Sequence, residues 1–147
     1  EAESITALVE LLRTWFDEIV IDLGCLIPQE INPHVFSLQQ QLFGCTDEIF
    51  GVFRADPEGI AKLFWLPIQG ELIANNYRAG SLGAGGRKGL KSIIAEITGK
   101  SLVAIGEEDD HLIQAVAKGI PVGEVSKKSP ISQLVRAMIQ NRLDASG

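Results

Sequence analysis

The chain is short of the residues that most chemistry needs. Two cysteines, two histidines and one methionine occur among its 147 residues. Cys25 and Cys45 form neither a Cys-x-x-Cys pair nor part of a Cys/His ladder, which argues against a zinc ribbon or a disulfide scaffold. The expectation is two buried free thiols in a reducing compartment, and so an intracellular, cytoplasmic protein. His34 and His111 have no Cys, His or carboxylate at a helical spacing that builds a zinc site. Asp109-Asp110-His111 does set ligand types side by side, but neighbours on a helix point in different directions. Neither Gly-x-Ser-x-Gly nor His-Glu-x-x-His occurs. These absences point away from an enzyme, and no metal or cofactor is expected. No apolar run approaches the roughly 18–20 residues of a membrane-crossing helix, so no span is expected.

What is present fits a folded domain. Hydrophobic residues make up 46% and charged residues 22% of the chain, an ordinary globular balance. Charge is unevenly spread. Residues 1–71 carry 12 acidic and 3 basic groups, and residues 72–147 carry 7 acidic and 10 basic groups. The halves therefore stand at −9 and +3, within a total of −6, and this layout favours an oriented interaction with phosphate or an acidic partner.

Apolar spacing reads mostly as helix. Ile5, Leu8, Leu12, Trp15, Phe16 and Ile19 recur at three- and four-residue steps, predicting a helix from Ser4 to about Ile21 with Gly24 as its stop. Val35–Phe43 predicts a short helix with Gln39, Gln40 and Gln41 on its wet side, and Thr46-Asp47-Glu48 opens another short segment through Phe53. Asp56-Pro57 is a strong helix start. The apolar positions after it predict a helix to about Tyr77, kinked at Pro67. Leu90, Ile93, Ile94 and Ile97 form one stripe closed by Gly99. Leu102–Ile105 fits a short strand or a helix start equally well. Glu107–Asp110 opens a helix to about Lys118, and Ser129-Pro130 opens a last one through Leu143. The expected fold class is all-α: six or seven helical segments in a single domain, residues 1–147.

Two stretches carry the binding expectations. The glycine-rich basic loop at 80–89 joins the acidic half to the basic half. Its Gly85 and Gly86 can present backbone N–H groups to an anion beside Arg87, Lys88 and Lys91. The spacing fails the P-loop signature, since Arg87-Lys88-Gly89 stands where Gly-Lys-Ser/Thr belongs, and Lys88 takes the place of the third glycine of a dinucleotide fingerprint. The second stretch is the order Asp110–Lys118, Val122–Lys128, Pro130–Leu143, which has the arrangement of a helix-turn-helix. Lys127 and Lys128 can meet phosphate, while Gln133, Arg136, Gln140 and Arg142 lie on the last helix. Ser129-Pro130, however, stands where a tight turn usually wants an apolar residue followed by Gly.

These features together predict a non-enzymatic helical assembly module that binds a protein partner, in particular a homo-oligomer whose acidic half meets the basic half of the next copy. The alternative is nucleic-acid binding through the basic loop and the last helix.

Overall fold

The unit that makes up about two thirds of the chain is built on a parallel sheet. The computed structural model describes residues 2–64, 70–80, 83 and 85–145, and these divide into two compact units, Glu1–Ile49 and Phe50–Gly147. The expected kink at Pro67 lies outside the described residues.

The first unit holds two helices, α1 (Ala2–Arg13) and α2 (Pro33–Gly44). Helix α1 stops short of its apolar periodicity, and Trp15 and Phe16 beyond it are exposed. Helix α2 starts two residues before the expected Val35, with Asn32 Oδ1 accepting from the Val35 N–H at 3.2 Å. Gln39 corrects the expectation of a wet side. It is buried, donates to the carbonyls of Leu23 and Cys25, and accepts from the Ile27 N–H. One amide thus pairs the backbone of a segment that has no ladder of its own. Cys25 is exposed and Cys45 half-buried, both free, so neither thiol is the buried hydrophobe expected.

The second unit overturns the all-α expectation. Its strands β1 (Phe50–Arg54), β2 (Glu71–Tyr77) and β3 (Leu102–Glu107) pair in parallel in the order β1-β2-β3. Helix α3 (Pro57–Lys62) connects the first pair and α4 (Gly86–Thr98) the second; α5 (His111–Lys118), α6 (Val122–Val125) and α7 (Pro130–Ala145) follow. The helix expected from Asp56 to Tyr77 is therefore a short helix and then a strand. Its start is as expected: Asp56 Oδ1 accepts from the Gly59 N–H at 2.7 Å. The physical reason for the misreading is β2. Leu72, Ile73 and Ala74 are all buried, and a strand covered on both faces shows a continuous apolar run instead of alternation.

Ile60 and Leu63 after β1, with Leu90 and Ile94 of α4, pack against Phe53, Ala55, Leu72, Ala74, Tyr77, Leu102 and Ile105 in one core. Burying Leu90 and Ile94 completely contributes about 1.5–3 kcal/mol each. Helix α7 packs against β3. Gly106 makes that approach close: a Cβ there would lie 3.1 Å from Asn75 Oδ1 and 3.3 Å from Leu134 Cδ2.

Two register shifts shape the sheet. Leu72 pairs with Leu102 but Ile73 with Ala104, which leaves Val103 as an extra residue in β3. Further on, Ala74 pairs with Ile105 and Tyr77 with Glu107, so β2 carries the extra residue across Asn75 and Asn76. Asn76 takes φ +58°, the left-handed conformation that such a bulge imposes and that Asn tolerates better than most side chains.

Gly59 and Gly89 test this packing in opposite directions. A Cβ on Gly59 collides with the Arg54 carbonyl, whereas a Cβ on Gly89 meets open space within α4. Urea denaturation should show Gly59→Ala destabilised by about 1–3 kcal/mol and Gly89→Ala stabilised by about 0.5–1 kcal/mol. Equal effects of the two would contradict the packing.

Candidate functional site

In an open parallel sheet the strand ends point their carboxyl termini toward one edge, where the connecting loops gather polar groups. Here that edge collects Arg54 and Asp56 at the end of β1, Asn75, Asn76 and Arg78 at the end of β2, and Glu107, Glu108 and Asp109 at the end of β3. Arg54 Nη2 lies 2.6 Å from Asp56 Oδ2, and the Asn75 carbonyl accepts from the Ala55 N–H at 2.7 Å. The β2 bulge returns Tyr77 to the core while leaving Asn76 exposed.

Two ion pairs bridge the ends of β2, α4 and β3. Arg78 grips Glu108 with both Nε, at 2.8 Å, and Nη2. The hydrogen bond from Arg78 lowers the Glu108 pKa, and the reciprocal bond raises that of Arg78. Arg87 Nη2 pairs with Glu107 Oε1. This fork-like geometry fixes the rim more firmly than single contacts would.

The glycine-rich stretch meets the same edge. Gly80 and Gly83 take φ of +86° and +81°. Gly85 is right-handed at φ −77°, ψ −15°, and Gly86 is left-handed at φ +52°, a right-then-left succession of the kind that turns consecutive N–H groups into a concave anion cradle. The N-cap of α4 is Gly85, which has no side chain to cap the first turn. Of the basic residues expected beside that cradle, Arg87 is committed to Glu107. Lys88 and Lys91 instead join Arg87 along a groove of about 470 Å³ floored by Val103, Ala104 and Ile105 and walled by Leu134.

The second expected site does not come together. Helix α6 is a single turn of four residues, too short to serve as the first helix of a helix-turn-helix, and α7 packs against β3. Gln133 donates to the Lys128 carbonyl at 3.3 Å and Gln140 to Asp144 at 2.8 Å. Arg142 stacks 4.6 Å from the Phe50 ring centroid and lies 3.8 Å from Glu71. Lys127, Lys128 and Arg136 are exposed. No group of three or more potential metal ligands occurs among the described residues.

Sequence reasoning passed over two features. Asp109 is buried, accepting from the Ser129 hydroxyl, from the Ile131 N–H at 3.3 Å, and from His111 at both backbone, 3.0 Å, and Nδ1, 2.8 Å. It is a joint between the end of β3 and the starts of α5 and α7. Ser and His both bond the carboxylate here, and that is not the order of a catalytic triad. The second feature is Gly99-Lys100-Ser101, which ends like a P-loop but has Ile94 in place of its first glycine. It precedes β3 at the amino edge of the sheet, and Lys100 Nζ is held by the Gly70 carbonyl at 2.7 Å. It is not a phosphate loop.

Comparison with known proteins bears on the fold alone. No family model matches the chain, and no curated protein matches it. Among solved structures it is similar to the crystal structure of a ParA family ATPase from Chlorobium tepidum TLS, with a TM-score of 0.68 at 19% identity. The match covers 92% of this chain and 55% of that one, so the chain spans about half the length of that ATPase. This finding replaces the all-α helical assembly module, and with it the helix-turn-helix alternative, by an α/β fold. It also overturns the expectation of a non-enzyme, since the solved structure that the fold resembles is an ATPase. No helix among the described residues is long and apolar enough to cross a membrane.

Burial works against ionisation of Asp109, but the hydrogen bonds from Ser129, His111 and Ile131 outweigh it and bring its pKa from 3.8 to about 2. A lowered folded pKa gives stability that is present above the unfolded value and lost as pH falls through the folded one. Tm should therefore decline between about pH 4 and pH 2, and Asp109→Asn should be less stable at neutral pH with a flatter decline across that window. An unchanged slope in the variant would contradict the role given to Asp109.

Proposed function

We propose that residues 50–145 are the nucleotide-receiving part of a ParA-like ATPase fold, and that the ligand lies along the carboxyl edge of β2 and β3. The single observation carrying this reading is the polar rim at that edge: the Asn76 bulge, the Arg78–Glu108 fork and the Gly85–Gly86 turn all meet where parallel sheets bind ligands. Asn75, Asn76 and Arg78 supply donors and acceptors for the nucleoside, and the N–H groups of Gly85 and Gly86 meet phosphate oxygens. The fold likeness to an ATPase makes ATP the ligand to test first.

The 147 residues contain no Gly-x-x-x-x-Gly-Lys-Ser/Thr, the loop whose lysine reaches the β- and γ-phosphates. On this reading the edge described here contributes binding and orientation. ATP and ADP should then bind alike, because none of the described residues at this edge singles out the terminal phosphate.

Fluorescence titration with a labelled ATP and a labelled ADP tests this directly. The expected result is saturable, similar binding of both, with Kd about 0.1–1 mM, and weaker binding by Arg78→Ala. Absence of saturation for either nucleotide, or binding unaffected by Arg78→Ala, would overturn the assignment.

A further inference from the structure

The outer edge of β3 is the unexplained feature of the second unit. Among the described residues it ends the sheet, so its outward row of N–H and C=O groups meets no further strand. A bare edge of this kind is a template for pairing with another chain. The bulge at Val103 sits in the middle of it, and that side chain is 45% exposed.

We propose that this edge docks an extended segment of a protein partner in which acidic and apolar residues alternate, adding a fourth strand to the sheet. The chemistry of the two walls sets the alternation. On one side stands α4, whose Leu90 and Ile94 enter the core and whose Lys88 and Lys91 line the groove. Neither lysine has an ion-pair or hydrogen-bond partner for its ammonium among the described residues, so both charges are available to incoming carboxylates. On the other side stands α7, which turns Leu134 toward the groove. Successive side chains of a strand point to opposite faces. A strand laid along β3 therefore offers every second residue to the lysines and the residues between them to Leu134. Backbone pairing supplies affinity and the two walls supply selectivity, as in other strand-addition complexes. Lys88, Lys91 and Leu134, which carry this proposal, take no part in the nucleotide edge.

The test uses the full 147-residue chain without nucleotide and a fluorescent peptide of alternating Glu and Val, followed by anisotropy. The expected result is saturable binding that weakens between about 20 mM and about 200 mM salt. Lys88→Glu/Lys91→Glu should bind about tenfold more weakly, and amide exchange at Val103–Ile105 should slow in the complex. A peptide with the same charges but alternate backbone amides N-methylated should lose about tenfold as well, because it cannot donate to the edge. Equal binding of the methylated peptide would overturn strand addition and leave only charge attraction. No saturation at low salt would also overturn the proposal, and Lys88 and Lys91 would then be guards that keep the edge from pairing.

Discussion

Burial of β2 on both faces and pairing on both edges is the constraint from which the second unit follows. Leu72 and Ala74 face the core made by α3 and α4, and Ile73, between them, points to the opposite face. A strand so enclosed must satisfy every backbone group through its neighbours, which it does against β1 on one edge and β3 on the other. Leu72→Ala at its centre would remove a side chain that is 1% exposed, the kind of change that costs about 2–5 kcal/mol.

The same strand prepares the candidate site by the way it ends. An ordinary continuation past Ala74 would alternate Asn75, Asn76 and Tyr77 without interruption. The bulge adds a residue, so Tyr77 falls on the core side and Asn76 is left at the rim in a left-handed conformation. Backbone held in a sparsely populated region costs on the order of 1–3 kcal/mol and persists only where its surroundings enforce it. Here the Glu108 N–H bond to the Tyr77 carbonyl at 3.0 Å and the Arg78–Glu108 fork close the strand on the far side of the bulge. Asp109 then carries the constraint outward to α5 and α7.

Local signals in the sequence were read well, and long-range ones were not. Asp56-Pro57 and Gly99 mark helix ends where the chain places them, because caps depend on a few neighbouring residues. The strands were hidden for three different reasons. Strand β2 lacks alternation because both faces are covered, β1 is only five residues long, and four apolar residues in β3 fit either state. Of the candidate site, the glycine turn and Arg87 were legible from composition. Asn76, Arg78 and Glu108 were not, since their importance comes from a register shift between strands far apart in sequence. The acidic-to-basic divide at residue 71 does not coincide with the boundary between the two units, for it falls inside β2.

The most direct test of the nucleotide edge is amide hydrogen exchange across the second unit with and without saturating ATP. Slower exchange at residues 75–78, 85–87 and 107–109, with residues 99–101 unchanged, is the result this account requires. Protection centred on Gly99-Lys100-Ser101, or none at the carboxyl edge, would contradict it.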